Sequence, residues 1–199
     1  MAADPNEQQH SQTLFSQRAR YHSSENNFEF SWPAVPAHQF VEERDRALAE
    51  HTPTGLIPLN LGAVLGLDYP ATTPTLLTRY AKICADEALS VSFKAAGTVY
   101  YVIRGEGCST QDNNVIEWRA GDLFCFPGAG KTVHQAGARD SLLFLATNEP
   151  LPSIDRLSPP PPAEAVVETV HWPADEITRQ LEPGLLYTFP SPRDATLPR

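Results

Sequence analysis

From Thr75 onward, short apolar runs alternate with residues that favour turns. Thr75–Ile83, Leu89–Phe93, Val99–Arg104, Cys108–Gln111, Val115–Trp118, Leu123–Phe126 and Leu142–Ala146 are rich in β-branched, aromatic or leucine side chains. Ala85-Asp86-Glu87, Ala95-Ala96-Gly97, Gly105-Glu106-Gly107, Asp112-Asn113-Asn114, Gly121-Asp122 and Gly137-Ala138-Arg139-Asp140 separate them. Strands spaced this way predict an antiparallel sandwich or barrel. No helix-length pattern lies between them, which argues against a parallel βαβ sheet. Asp112-Asn113-Asn114 reads as a hairpin turn, because Asn and Asp tolerate positive φ.

Outside this region the pattern changes. Residues 1–34 are polar, rich in Gln, Ser and Asn, and read as an arm without a core of its own. Residues 35–70 hold a predicted helix from Pro36 to about His51, with Phe40, Val41, Ala47 and Leu48 on one face, and then the apolar connection Leu56 to Leu67. The barrel is placed at 71–152. Residues 153–199 read as a proline-rich linker or tail, in which Ser158-Pro159-Pro160-Pro161-Pro162 favours extended polyproline geometry and Ala174–Leu181 could make two helical turns closed by Gly184. No internal repeat is present.

Composition narrows the field. The 199 residues suffice for one domain with a real core. Nineteen prolines, about twice the usual 5%, argue against a helical bundle. A formal charge of −9 disfavours nucleic acid or an anionic membrane surface as partner. The start, Met1 to Glu7, lacks the layout of a signal peptide, and no apolar run approaches a membrane span. Cys84, Cys108 and Cys125 include no close pair and leave one odd thiol, which suggests reduced cysteines and a cytoplasmic location. Gly128-Ala129-Gly130-Lys131-Thr132 looks like the end of a phosphate loop, but Cys125 stands where that pattern needs glycine and no helix follows. The loop reads instead as a cap on one end of the barrel.

Two stretches together resemble the cupin superfamily: SVSFKAAGTVYYVIRGEG, from Ser90 to Gly107, and the strand-turn from Gly121-Asp122 to Pro127 followed by His134. Their flanks, PATTPTLLTRYAKI and SLLFLATNEPLPSIDRL, are similar to gentisate-type ring-cleaving dioxygenases, which carry two cupin barrels in one chain. The resemblance covers about residues 70 to 157. It implies an all-β cupin jelly-roll barrel, here with an N-terminal helix and a proline-rich C-terminal tail. It also implies a facial site for Fe(II) or Mn(II), built from two histidines of the first motif and one of the second.

This sequence departs from that pattern. Counting back from Tyr101-Val102 and Gly105, the two histidine positions fall on Ser92 and Lys94, and the glutamate position on Thr98. A serine hydroxyl is a poor ligand for these metals and an ammonium is none. Only His134 remains, two residues further from Pro127 than the family spacing. Cys108 and Cys125 could join it as soft ligands, although their spacing gives no support. No cofactor is therefore expected.

Ser92, Lys94, Tyr101 and His134 are the pocket candidates. Lys94 could hold the acid group of a small substrate, or the strand could lie at an edge and let it reach solvent. His134 could hydrogen-bond a ligand or sit near the rim, satisfied by backbone. Tyr100, Tyr101, Trp118, Phe124 and Phe126 read first as core. Three functions follow. The first is a metal-free barrel that binds a small aromatic or carboxylic acid ligand or serves as a structural half-unit, as a homo-oligomer or paired with a second cupin barrel. The second is an active dioxygenase, lyase or isomerase using His134 with an atypical metal, Fe(II) or Mn(II), or with Lys94 as an acid–base pair. The third is a ligand-sensing regulator.

Overall fold

A computed structural model describes residues 36–185. The chain divides into two units, 1–34 and 35–199; the first, read above as an arm, lies outside the described residues, as does the stretch from Thr188 to Arg199.

Helix α1 (Val41–Leu48) is shorter than the sequence predicts. Of its expected apolar face only Ala47 is buried, against Ile57 and Leu142, while Val41 and Leu48 stay exposed. Ten strands follow: β1 (Gly55–Leu59), β2 (Leu77–Ile83), β3 (Ala88–Ser92), β4 (Gly97–Arg104), β5 (Glu106–Gln111), β6 (Asn114–Arg119), β7 (Leu123–Pro127), β8 (Lys131–Ala136), β9 (Ser141–Thr147) and β10 (Val170–Trp172). Short helices α2 (Pro150–Asp155) and α3 (Ala174–Leu185) complete the described part. All seven expected strands are present. Asp112 takes φ 52° in the β5–β6 hairpin, where Gln111 pairs with Asn114.

The strands make two antiparallel sheets, a large one ordered β1-β2-β9-β4-β7-β10 and a small one ordered β3-β8-β5-β6. Side chains alternate across each strand, so register assigns every row to the inside or the outside. Arg79, Leu145, Tyr100 and Phe124 form one inward row of the large sheet, and Leu77, Thr147, Thr98 and Phe126 the next. Opposite them the small sheet turns in Leu89, His134, Ser109 and Ile116, then Val91, Thr132 and Gln111. Tyr100 stacks on Phe124 at 4.9 Å, and Ile83, Val102, Trp118, Phe126, Leu143 and Leu145 fill out the core.

Part of the expected tail is built into the fold. Strand β10 pairs with the edge of β7, and α3 runs on to Leu185 rather than closing at Gly184. Buried Asp122 anchors both: its carboxylate accepts from the backbone N–H of Ala174 (2.8 Å) and of Arg119 (3.1 Å) and lies 3.1 Å from His171 Nε2. Those contacts to the charged form hold its pKa low despite the opposing effect of burial. The glycine loop does close one end. Gly128 N–H donates to Ala96 O and Ala129 N–H to Phe93 O. A Cβ at Gly128 would lie 1.5 Å from Ala95 O, so only glycine fits this approach. Among the described residues no helix is long and apolar enough to cross a membrane.

Candidate functional site

Four residues were expected to face the pocket, and the structure places one inside the barrel. His134 is fully buried. Ser92 and Lys94 are exposed, and Tyr101 lies on the outer face, 44% exposed. The correction follows from alternation: β3 buries Val91 and, just beyond its end, Phe93 at 8%, and this strand can turn only one parity inward. Ser92 therefore stands opposite Lys131 on the outside. Cys108 and Cys125 share outward parity and do not converge with His134. Cys125 Sγ instead donates to Glu168 O (3.2 Å), and burial pushes its thiol pKa up.

What surrounds His134 is a polar row that the sequence reading missed. Trp118 Nε1–H donates to Ser109 Oγ (2.7 Å), which lies 2.6 Å from His134 Nδ1. An indole nitrogen only donates, so Ser109 Oγ accepts there; toward His134 Nδ1 the hydroxyl can donate, or accept through its second lone pair. Burial holds the imidazole pKa down to about 4, so the ring is neutral at physiological pH. Its Nε2 has no protein partner. Beside it on β5, Gln111 donates through Nε2 to Pro127 O and Thr132 Oγ1 (both 3.0 Å), and its buried Oε1 is likewise unpartnered. Burial raises the pKa of the Tyr100 hydroxyl beyond use as an acid at neutral pH, against a smaller opposing effect of the Thr98 and Thr132 side chains. The Tyr100 and His134 rings meet edge-on at 4.7 Å.

Toward the Thr147 end of this interior, Arg79 pairs with Glu149 (2.5 Å), donates to Thr147 Oγ1 (3.2 Å) and lies over the Phe93 ring at 4.6 Å. Its charge is therefore already matched. A metal of the kind the resemblance implies needs several converging nitrogen or oxygen donors. Here one imidazole faces Tyr100 and Phe124, and the adjacent inward positions of the first motif are Val91 and Phe93. That donor set does not fit the metal. Among the described residues no three His, Cys, Asp or Glu side chains gather into a group able to hold one.

The fold and this interior define the class: a small antiparallel jelly roll of the cupin type. Part of the chain is similar to ring-cleaving dioxygenases. Over 94 residues the chain is 32% identical to a 5-aminosalicylate 1,2-dioxygenase of a Comamonas species, a match covering 47% of this chain and 23% of that protein. It also resembles the salicylate 1,2-dioxygenase of Pseudaminobacter salicylatoxidans, with TM-score 0.48 and 21% identity over 58% of this chain and 35% of that one. The gentisate adduct of that enzyme gives TM-score 0.47 and 21% identity over 58% and 34%. No family model matches. The chain spans about a quarter of the curated relative and about a third of these structures.

Proposed function

We propose that this chain is a dioxygenase-related cupin barrel without the family metal site, acting as a structural half-unit that pairs with a second barrel. The observation that carries the reading is the content of the interior around His134. Tyr100, Trp118, Phe124 and Phe126 are each at most 3% exposed there, packed where a metal and an aromatic substrate would need room. In a barrel of this size the side chains alone can fill the lumen. An acid–base enzyme is less well supported. Lys94 is outside, and His134 is neutral with its Nδ1 engaged by Ser109. Three free thiols fit a cytoplasmic location.

The test is elemental analysis of the purified full chain after incubation with Fe(II) or Mn(II) and desalting, together with oxygen uptake on gentisate and on 5-aminosalicylate. Far less than one metal per chain and no uptake are expected. Near-stoichiometric iron, manganese, nickel or zinc would overturn the reading.

A second reading, a binding site for a small aromatic or carboxylic acid, draws on an open cleft of about 610 Å³ lined by Trp118, Arg119, Gln135 and His171 among others. The exposed Arg119 guanidinium at its wall, now paired with Asp175, can take a carboxylate. Quenching of tryptophan fluorescence by salicylate, lost in Arg119→Gln, would support it; an unchanged spectrum at millimolar salicylate would remove it.

A further inference from the structure

We propose that one end of the barrel carries a phosphate-binding site, in which Arg104 and Arg139 take the oxygens of free phosphate or of a small phosphate monoester. The inference is independent of what fills the interior around His134. An open cleft of about 410 Å³, within the size range of small-molecule sites, lies among the turns that follow β4, β6 and β8. Its charged walls are Arg104, Glu106, Arg119, Arg139 and Asp140.

Register explains how Arg104 comes to line it. The pairing of β4 with β9 slips between Val102 and Arg104, and such a bulge re-aims the side chain beyond it. Arg104 then stands opposite Leu142, and Leu142 opposite Lys82, so two cations share one cross-strand row. Gly105 makes the turn that follows at φ 89°, where a Cβ would run into Ser141. The neighbouring turn is tied to this one: Gly137 N–H (2.9 Å) and Ser141 Oγ (3.2 Å) both donate to Glu106 O. Backbone and hydroxyl bonds therefore frame the cleft before any ligand arrives.

The charges say what it takes. Lys82 has no exposed side-chain surface and is matched by Asp140 Oδ2 at 2.5 Å. The other Asp140 oxygen accepts from the Ala85 N–H (3.0 Å), so both are engaged. Arg104 is left over. Its Nε is buried without a partner, and among the described residues neither Arg104 nor Arg139 enters an ion pair. A buried cation without a counter-charge is strongly unfavourable, and an anion entering the cleft removes that cost. Guanidinium forks match phosphate oxygens in pairs, and a phosphate dianion answers two arginines where a carboxylate answers one. A chain of net charge −9 repels anions at long range, so the affinity has to come from these local donors. Arg119 stands on the wall shared with the cleft beside Trp118, and exposed Glu106 opposes the ligand.

Isothermal titration of the full chain with inorganic phosphate is the test, with glycerol phosphate and salicylate as comparison probes. One saturable phosphate site per chain is expected, weakened at least 10-fold in Arg104→Gln and strengthened in Glu106→Gln. Lys131→Gln, at an exposed position on β8, should leave it unchanged. Arg139→Gln, also exposed, should weaken binding too, and it repeats the test should circular dichroism show Arg104→Gln unfolded. Phosphate should raise the thermal midpoint of the wild type but not of Arg104→Gln. Glycerol phosphate bound more tightly than inorganic phosphate identifies an ester as the occupant; equal affinity identifies the free ion. Salicylate quenching of tryptophan fluorescence should persist in Arg104→Gln, which separates this cleft from the one beside Trp118. No saturable binding at 20 mM phosphate, unchanged affinity in folded Arg104→Gln and Arg139→Gln, or a site that prefers salicylate to phosphate would overturn the proposal.

Discussion

The six-stranded sheet turns Tyr100, Phe124 and Leu145 inward and Val99, Tyr101 and Phe144 outward. The four-stranded sheet turns His134, Ser109, Thr132 and Gln111 inward and Ser90, Glu117 and Lys131 outward. The large sheet is mainly apolar inside, whereas the small sheet mixes Leu89, Val91, Ile116 and Trp118 with a buried polar group inside and carries charge outside. A barrel interior is normally the drier side, so a small sheet with a polar inward row has kept hydrogen-bonding groups that packing alone did not call for. The indole, hydroxyl and imidazole Nδ1 of Trp118, Ser109 and His134 satisfy one another in series, while His134 Nε2 and Gln111 Oε1 keep no protein partner.

The sharpest way to break this contrast is to truncate the apolar side. Phe124→Ala removes a fully buried ring that touches Tyr100 and Phe126, and should cost about 3–5 kcal/mol in urea unfolding. A loss under about 1 kcal/mol would mean that the large sheet does not hold the core. Acid probes the polar side. His134 takes its proton near pH 4 when folded and near 6.5 when unfolded. Between those values the unfolded chain binds a proton that the folded chain refuses, so stability falls as pH falls. The full loss is about 3 kcal/mol, none of it present above pH 6.5. Chemical denaturation at pH 7 and pH 4.5 measures it, and His134→Gln should flatten that part of the profile. Ser109→Ala strands the Trp118 N–H and His134 Nδ1 and should cost about 2 kcal/mol. The smallest effect belongs to Lys94→Met, which should move stability by less than about 0.5 kcal/mol because the side chain already meets solvent.

The strands that the sequence announces are those whose apolar residues face the core. Strand β8, KTVHQA, hides because its inward residues are Thr132 and His134 while Val133 looks outward, which inverts the usual cue. Strand β1 contains Pro58 and lies at a sheet edge, where a missing donor is tolerated, so it reads as a connection. Strand β10 is three residues long and draws its stability from β7 and from Asp122, neither visible in local pattern. His134 was legible as a candidate because it follows the Gly121-Asp122 motif at roughly family spacing. Its partners Ser109, Gln111 and Trp118 were not, since only cross-strand register brings them to one row. The alternating pattern already placed Val91 and Phe93 on the apolar face. Giving Ser92 and Lys94 a cavity needed a second interior, which a barrel lacks.

Asp122 carries a consequence for how the polypeptide is cut. The carboxylate that closes the turn after β6 also grips His171 and the first N–H of α3. The segment past the polyproline run is thereby latched to the rim. Trimming back to residue 152 would bare a strand edge beside β7 and leave a sheltered anion short of two partners. Such a shortened protein should stick to itself through that raw edge, so the smallest well-behaved unit reaches at least into α3.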